Sequence, residues 1–368
     1  MERLDAFSAP RLVEYFDPDP CTPPYALEDR AMPAAPAAGA SRNEAQRRDG
    51  SLGVTVEARY TVGEYDILIL SAKESGGLET WLVQNGYKIP KGTKDLLRPY
   101  IRQKLKFFVA KVNLKEFDKA GYQSLRPIQI SYESPRFMLP IRLGMVNAKT
   151  AQDLIVYILS PNGQTETTNY RTVKVPSDAE IPVFVKDEFS HFYKSMFQTA
   201  YLREDRKVAF MEYAWDMASC DPCSAEPLNP EELQQAGVFW LDSEAAPNPS
   251  SNNRRFIPRP APYGGVFLTR LHVRYTRDRF PEDLMFQATG NREFFQGRYI
   301  LRHAFTGKMD CQAGRQYVRS LPRRFDQEAQ TLARLTGWNI GDIRRKLPQI
   351  QSQLFPWWQQ LWLSLTGK

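Results

Sequence analysis

The sequence predicts an α+β fold on a mainly antiparallel or mixed sheet, with flanking helices and two long polar loops. Three observations carry this. Segments of strand-type alternation outnumber segments of helical period. The strict strand–helix alternation of a doubly wound parallel sheet is missing. Two polar, proline-bearing stretches, 23–53 and 241–264, interrupt the apolar patterning. With 368 residues, 42% hydrophobic and 12% aromatic, the chain can bury one large core or two ordinary ones, and wholesale disorder is excluded. The expected organisation is an N-terminal segment (1–22), the first polar loop, an α+β body (54–240), the second polar loop, a continuation of the body ending in a basic helix (265–340), and an aromatic tail (341–368).

Taken in order, Leu4 to Phe16 reads as a short amphipathic segment stopped by DPDPCTPP. VTVEARYTV alternates as a half-buried strand, and EYDILILSA is apolar enough for a central one. Ser75-Gly-Gly opens a helix with Leu78, Trp81 and Leu82 on one face, closed by Asn85-Gly86. A second helix is expected over Lys94 to Lys104. Strands are expected at Lys106 to Val112, Ile128 to Tyr132, Asp153 to Ser160 and Arg171 to Val175. Pro161-Asn162-Gly163 suggests an antiparallel pairing of the last two. Ile181 to Val185 reads as a strand entering a helix capped by Asp187. Further strands are expected at Val208 to Ala214, Val266 to Tyr275, Leu284 to Ala288 and Gln296 to His303. Val318, Leu321, Phe325, Ala329, Leu332 and Leu335 recur at spacings of three and four, which predicts a long terminal helix.

Charge is unevenly placed. Eleven Lys or Arg between Arg298 and Lys346 face four acids, an excess equal to the net charge of +7 of the whole chain. Arg315, Arg319, Arg323, Arg324, Arg344 and Arg345 are the candidate contact surface, suited to an anionic envelope or membrane surface. Nucleic acid is disfavoured, because aromatics do not interleave with these arginines. No apolar run approaches the roughly 20 residues of a membrane helix. MERLDAFSAPRLVEYFD has no apolar signal-peptide core, so the literal expectation is a soluble chain without an export signal. LFPWWQQLWLSLTGK, in the tail, is expected to pack on the domain rather than lie in a membrane interface.

Four cysteines, Cys21, Cys220, Cys223 and Cys311, admit three chemistries. Cys220-Asp-Pro-Cys223 has the form of a thiol–disulfide site, with Cys220 as nucleophile and Cys223 as resolving thiol. Pro227 and Pro230 prevent a long helix from starting there, and Asp221 would raise a thiol pKa, so neither device that stabilises a thiolate is present. Zinc would need Cys311 and His303 as further ligands, at a spacing that fits no ribbon or finger. Structural cross-linking is the expectation that remains, with three pairings open. Such bonds persist outside the cytosol, which conflicts with the missing export signal.

Nothing else in the sequence announces catalysis. Glu188 and His191 stand at i, i+3 and read as a helix start with a surface or packed histidine rather than a metal pair. His272 and His303 lie on strands without a nucleophile signature. Arg279-Phe-Pro-Glu-Asp-Leu284 reads as a turn or helix start. Catalytic residues, metal and cofactor are therefore none, and the catalytic alternative is the redox pair Cys220 and Cys223.

Several stretches together resemble one family: ERLDAFSAPRLVEYFDPDPC (2–21), VGEYDILILSAKESGGLETWLVQNGYKIP (62–90), SPRFMLPIRLGMVNAKTAQDLIVYILS (134–160), PVFVKDEFSHFYKSMF (182–197), YAWDMASCDPC (213–223) and FLTRLHVRYTRDRFPEDLMFQ (267–287). They are similar to the uncharacterised bacterial domain-of-unknown-function family 2330, over most of residues 1 to 340. The resemblance implies no activity and no catalytic residues. It does imply a periplasmic or secreted protein, with a signal peptide and a cysteine-bearing β-rich segment upstream, so Met1 is expected to be an internal start. The resulting expectation is a non-catalytic, disulfide-stabilised exported domain with a binding or envelope-associated role.

Overall fold

The computed structural model describes residues 2–22, 53–121, 124–146, 148, 150–219, 226–243 and 265–348. The polar stretches 23–52 and 244–264, and the tail from 349 onward, lie outside the described residues. The fold is α+β on mixed and antiparallel open sheets. In chain order its elements are α1 (Glu2–Ser8), β1 (Arg11–Phe16), β2 (Val54–Val62), β3 (Tyr65–Ala72), α2 (Ser75–Gln84), α3 (Thr93–Arg102), β4 (Phe107–Val112), α4 (Leu114–Ala120), β5 (Met138–Leu139), β6 (Gln152–Ser160), β7 (Thr165–Thr167), β8 (Arg171–Lys174) and β9 (Ala179–Ile181). There follow α5 (Phe189–Arg203), β10 (Val208–Asp216), α6 (Pro230–Gln235), β11 (Phe267–Tyr275), β12 (Leu284–Ala288), β13 (Phe295–Gln296), β14 (Arg298–His303), α7 (Gln312–Thr336) and α8 (Ile340–Arg345).

The chain forms two compact units that do not follow sequence order. The larger combines Met1–Ala38, Asp153–Arg274 and Gln287–Lys368; the smaller combines Gly39–Gln152 and Tyr275–Phe286. In the larger unit, β10 and β11 pair antiparallel at the centre of a sheet ordered β13-β10-β11-β6. Seven consecutive residues of each are buried, because both faces of these strands are covered. β14 lies between β1 and β9, parallel to both. The apolar stripes of α5 (Phe192, Met196, Ala200) and α7 (Leu321, Phe325, Ala329, Leu332) are buried. Most of these residues share one core with Ile181, Phe210, Tyr299 and Leu301. Burying a side chain of this kind contributes about 1.5–3 kcal/mol each.

The smaller unit is an antiparallel β2-β3-β4 sheet whose residues Val54, Val56 and Leu70 pack on Leu78, Leu82 and Leu97 of α2 and α3. Gly63, at φ +56°, closes the β2–β3 hairpin, and a Cβ there would come within 1.8 Å of Arg126 Nη2. That guanidinium and the Arg126 backbone N–H bind the buried carboxylate of Glu64, which the Arg126 hydrogen bonds draw down to about 2. The stretch Arg279 to Leu284, read as a turn or helix start, instead leaves a turn at Arg279 and enters β12 at Leu284. Its Asp283 accepts hydrogen bonds from Tyr100 Oη (2.7 Å), Ile141 N (2.9 Å) and Arg142 N (3.2 Å).

Five local expectations are corrected. Leu4 to Phe16 is a short helix followed by a strand rather than one amphipathic segment. Ile128 to Tyr132 forms no strand; Ile130 and Tyr132 remain exposed, because the alternation meets no partner strand there. Pro182 ends the strand expected over Ile181 to Val185. It donates no ladder hydrogen bond, so β9 stops at Ile181 and Val183–Lys186 coil into a 3-10 turn. The helix cap falls on Glu188, not Asp187, and makes no side-chain capping bond. Finally, the turn at 161–163 leads into β7, and β8 pairs parallel with β10 instead of antiparallel with β6.

Candidate functional site on helix α7

Among the described residues of the larger unit, helix α7 carries a basic ridge and one wall of a polar groove. Its start is fixed covalently: Cys311 is the N-cap, accepts from Gly314 N–H at 3.1 Å, and is disulfide-bonded to Cys21. The bond joins positions 290 residues apart, so the peptide after β1 is tied to the first turn of α7. At the other end Gly337 takes the left-handed conformation (φ +75°) that closes the helix. Of the expected disulfide cysteines, Cys21 and Cys311 are thus paired with each other. Cys220 and Cys223 lie outside the described residues.

The six arginines singled out from the sequence divide into two groups. Arg324 is half-buried and donates to Asp17 Oδ2 at 2.5 Å; Arg344 pairs with Asp326 at 2.7 Å, and Arg345 pairs with Asp342. Their charges are already answered. Arg315, Arg319 and Arg323 are exposed and stand at i, i+4 and i+8, a ridge about 12 Å long. Arg315 donates to the Asp310 backbone carbonyl, and none of the three has a carboxylate partner among the described residues. Gln312, Gln316 and Ser320 beside them carry no charge, so the ridge is purely basic.

Next to the ridge, α7 and β9 enclose an open groove of about 380 Å³. Residues 177–180 form one wall, and Arg324, Gln327, Glu328, Thr331 and Arg334 the other. Two of its acids are paired: Asp178 with Arg298 (2.5 Å) and Glu180 with Arg302 (2.7 Å). Glu328 differs. It is only 3% exposed, and its Oε1 has no hydrogen-bond partner among the described residues. Arg324 Nε lies 3.5 Å away, beyond hydrogen-bond geometry. Burial therefore dominates and raises the Glu328 carboxyl to about 7, against the opposing charge of Arg324.

A second polar cluster is enclosed in the sheet. The β10–β11 register shifts between Met211 and Tyr213, which leaves Glu212 as the extra residue of a bulge. Its carboxylate accepts from Arg270 Nε at 2.6 Å, bonds His272 Nδ1 at 2.7 Å and accepts from Tyr193 Oη. Arg270 also binds Asp5 at 2.7 Å. Asp153, held by both nitrogens of the Arg274 fork, lies 3.5 Å from His272 Nε2. Burial opposes charge on Glu212, yet the hydrogen bond and charge of His272 and the charge of Arg270 outweigh it and hold the carboxyl below its usual range. His272 is likewise opposed by burial but raised by Asp153 and Glu212. Phe197 stacks on the imidazole at 3.8 Å between ring centres, leaving it 9% exposed. The cluster ties strands and helices together, with Glu212, Arg270 and His272 buried and Asp5 and Asp153 at its exposed margins.

The remaining histidines have packing roles. His191 stacks on Trp338 at 4.7 Å while Glu188 pairs with Lys346, so the i, i+3 pair does not converge. His303 binds Glu14 at 2.8 Å and stacks on Phe16. Among the described residues no three His, Cys, Asp or Glu side chains are arranged to hold a metal ion. Sequence reasoning missed Glu328 and Glu212. Glu212 is the one acid in the apolar run VAFMEYAW, and that isolation was its signal; Glu328, in FDQEAQTLA beside Asp326, carried none.

Fold and site together define a disulfide-bonded α+β domain of discontinuous units, with a basic ridge and a polar groove on one helix. The chain belongs to a bacterial family described as an uncharacterized protein conserved in bacteria (DUF2330), whose model matches residues 1–287. The matched residues end before β13, so α7 lies beyond them. No curated protein and no solved structure matches the chain.

Proposed function

We propose that this chain is a non-catalytic, disulfide-stabilised binding domain that works outside the cytosol and contacts an anionic envelope surface through α7. The observation that carries the reading is the ridge Arg315–Arg319–Arg323, exposed on successive turns and without carboxylate partners among the described residues. Each arginine near a negatively charged surface contributes about 1 kcal/mol, so three supply a reversible contact that falls steeply with salt. The Cys21–Cys311 bond supports the compartment, because the cytosol keeps such thiols reduced. The same bond fixes the helix that presents the ridge.

Reversing two ridge charges, Arg319→Glu with Arg323→Glu, tests the reading in exported protein. It expects the double variant to leave the envelope fraction and appear as soluble protein. Arg344→Glu with Arg345→Glu should matter less, since those arginines are already committed to acids. Unchanged envelope association of the ridge variant would sink the proposal.

A further inference from the structure

We propose that the groove between β9 and α7 is a ligand site for a small organic cation, an ammonium or guanidinium, held by the carboxylate of Glu328. Asp178 is committed to Arg298 and Glu180 to Arg302, so neither is free to take a ligand's charge. The guanidinium nearest Glu328, that of Arg324, donates through Nη1 to Asp17, which also accepts from Tyr317 Oη at 2.6 Å, and its Nε stands 3.5 Å from Glu328 Oε1 as an ion pair without a hydrogen bond. Glu328 alone among the lining acids makes no hydrogen bond to the described residues, although it is 97% removed from solvent by its 3% exposure. Leaving a carboxyl buried and unbonded is unfavourable, and an N–H cation seated in the groove would supply the missing donor. A volume of about 380 Å³ lies at the small end of ligand pockets, which fits a compact ligand of few heavy atoms. Gln327 and Thr331, one turn apart on the same wall, provide further polar groups for orientation.

Proton balance follows from the same geometry. The groups that act on Glu328 are Arg324 from its own helix, Glu180 from β9, Arg302 from β14 and Asp17 after β1. Arg324 and Arg302 oppose the rise, Glu180 and Asp17 add to it, and burial, the largest effect, leaves the carboxyl neutral below about pH 7. Binding a cation therefore releases a proton from Glu328 to solvent below that pH, with no other bond made or broken. Affinity should rise as the carboxyl ionises. The groove is separate from the ridge arginines, so failure of one reading leaves the other standing.

The test titrates the full chain with n-butylammonium, followed by ligand-observed NMR, with n-butanol and butyrate as neutral and anionic counterparts. We expect the ammonium to bind selectively, at least about tenfold more tightly at pH 8.5 than at pH 5.5, a ratio worth about 1.4 kcal/mol. Glu328→Gln keeps the shape, and its fold is checked by thermal melting; it should bind weakly at both pH values. Thr331→Trp fills the groove and should abolish binding while Glu328 remains. Equal binding by Glu328→Gln, preference for butyrate, or indifference to Thr331→Trp would each overturn the assignment.

Discussion

Arg270 and Glu212 meet inside the central sheet, Nε to Oε2 at 2.6 Å, because a bulge in β10 turns Glu212 toward the β11 face that carries Arg270 and His272. Neither side chain has meaningful contact with water. Removing one partner leaves the other charged and buried, a change that costs about 3–5 kcal/mol. Glu212→Ala should therefore lower the unfolding free energy by that order in a urea titration. A loss below about 1 kcal/mol would mean that the cluster is solvated and does not hold the sheet.

His272 gives that cluster a pH dependence of known sign. Its pKa in the folded chain lies above the ordinary 6.5, opposed by burial and raised by Asp153 and Glu212. The stability it contributes is therefore complete below pH 6.5 and lost as pH rises through the folded value. His272→Gln should flatten the decline in stability on the alkaline side of pH 6.5. Parallel pH profiles for variant and parent would contradict the ion-pair arrangement.

Glu328 produces a second window at lower pH. Its carboxyl titrates at about 7 in the fold against 4.5 in an unfolded chain, so stability falls as pH rises between these values and levels off above them. At about 1.4 kcal/mol per unit the full loss is about 3 kcal/mol as an upper bound. Glu328→Gln should remove this slope and leave the chain more stable than the parent at pH 8. Denaturant midpoints at pH 5 and pH 8 decide it: a variant less stable at both would show that the carboxylate is paired.

How far the sequence revealed this arrangement depends on the physics of each element. The α7 stripe was legible because Leu321, Phe325, Ala329, Leu332 and Leu335 are all buried on a helix whose other positions are largely polar, and helical period reports one-sided burial directly. Strand β10 was legible as a largely apolar run buried on both faces, β11 by its alternation, and β3 as an apolar run of which Tyr65, Ile67 and Leu70 are buried. Ile128 to Tyr132 misled because alternation encodes a face but not the partner strand that would use it. The parallel pairing of β8 with β10 was hidden because it joins segments more than 30 residues apart. For the same reason the arginines could be counted but not sorted. Asp17, which neutralises Arg324, lies 307 positions away in the chain.

The disulfide offers a prediction that substitution and reduction test together. Cross-linking positions 290 residues apart restricts the unfolded chain strongly, and the entropic contribution approaches about 5 kcal/mol. Cys21→Ser should destabilise the oxidised protein by several kcal/mol, and reductant should do the same to the parent but not to the variant. Equal sensitivity of both to reductant would place the stabilising bond elsewhere.

The most direct test of the central claim is equilibrium binding of the full chain to vesicles containing phosphatidylglycerol, measured across a salt series. The ridge account predicts binding that vanishes on neutral phosphatidylcholine vesicles and weakens steadily with salt. It further predicts that Arg315→Glu/Arg319→Glu/Arg323→Glu removes it while Arg344→Glu/Arg345→Glu largely retains it. Salt-independent binding, or equal binding by the ridge variant and the parent, would contradict the account.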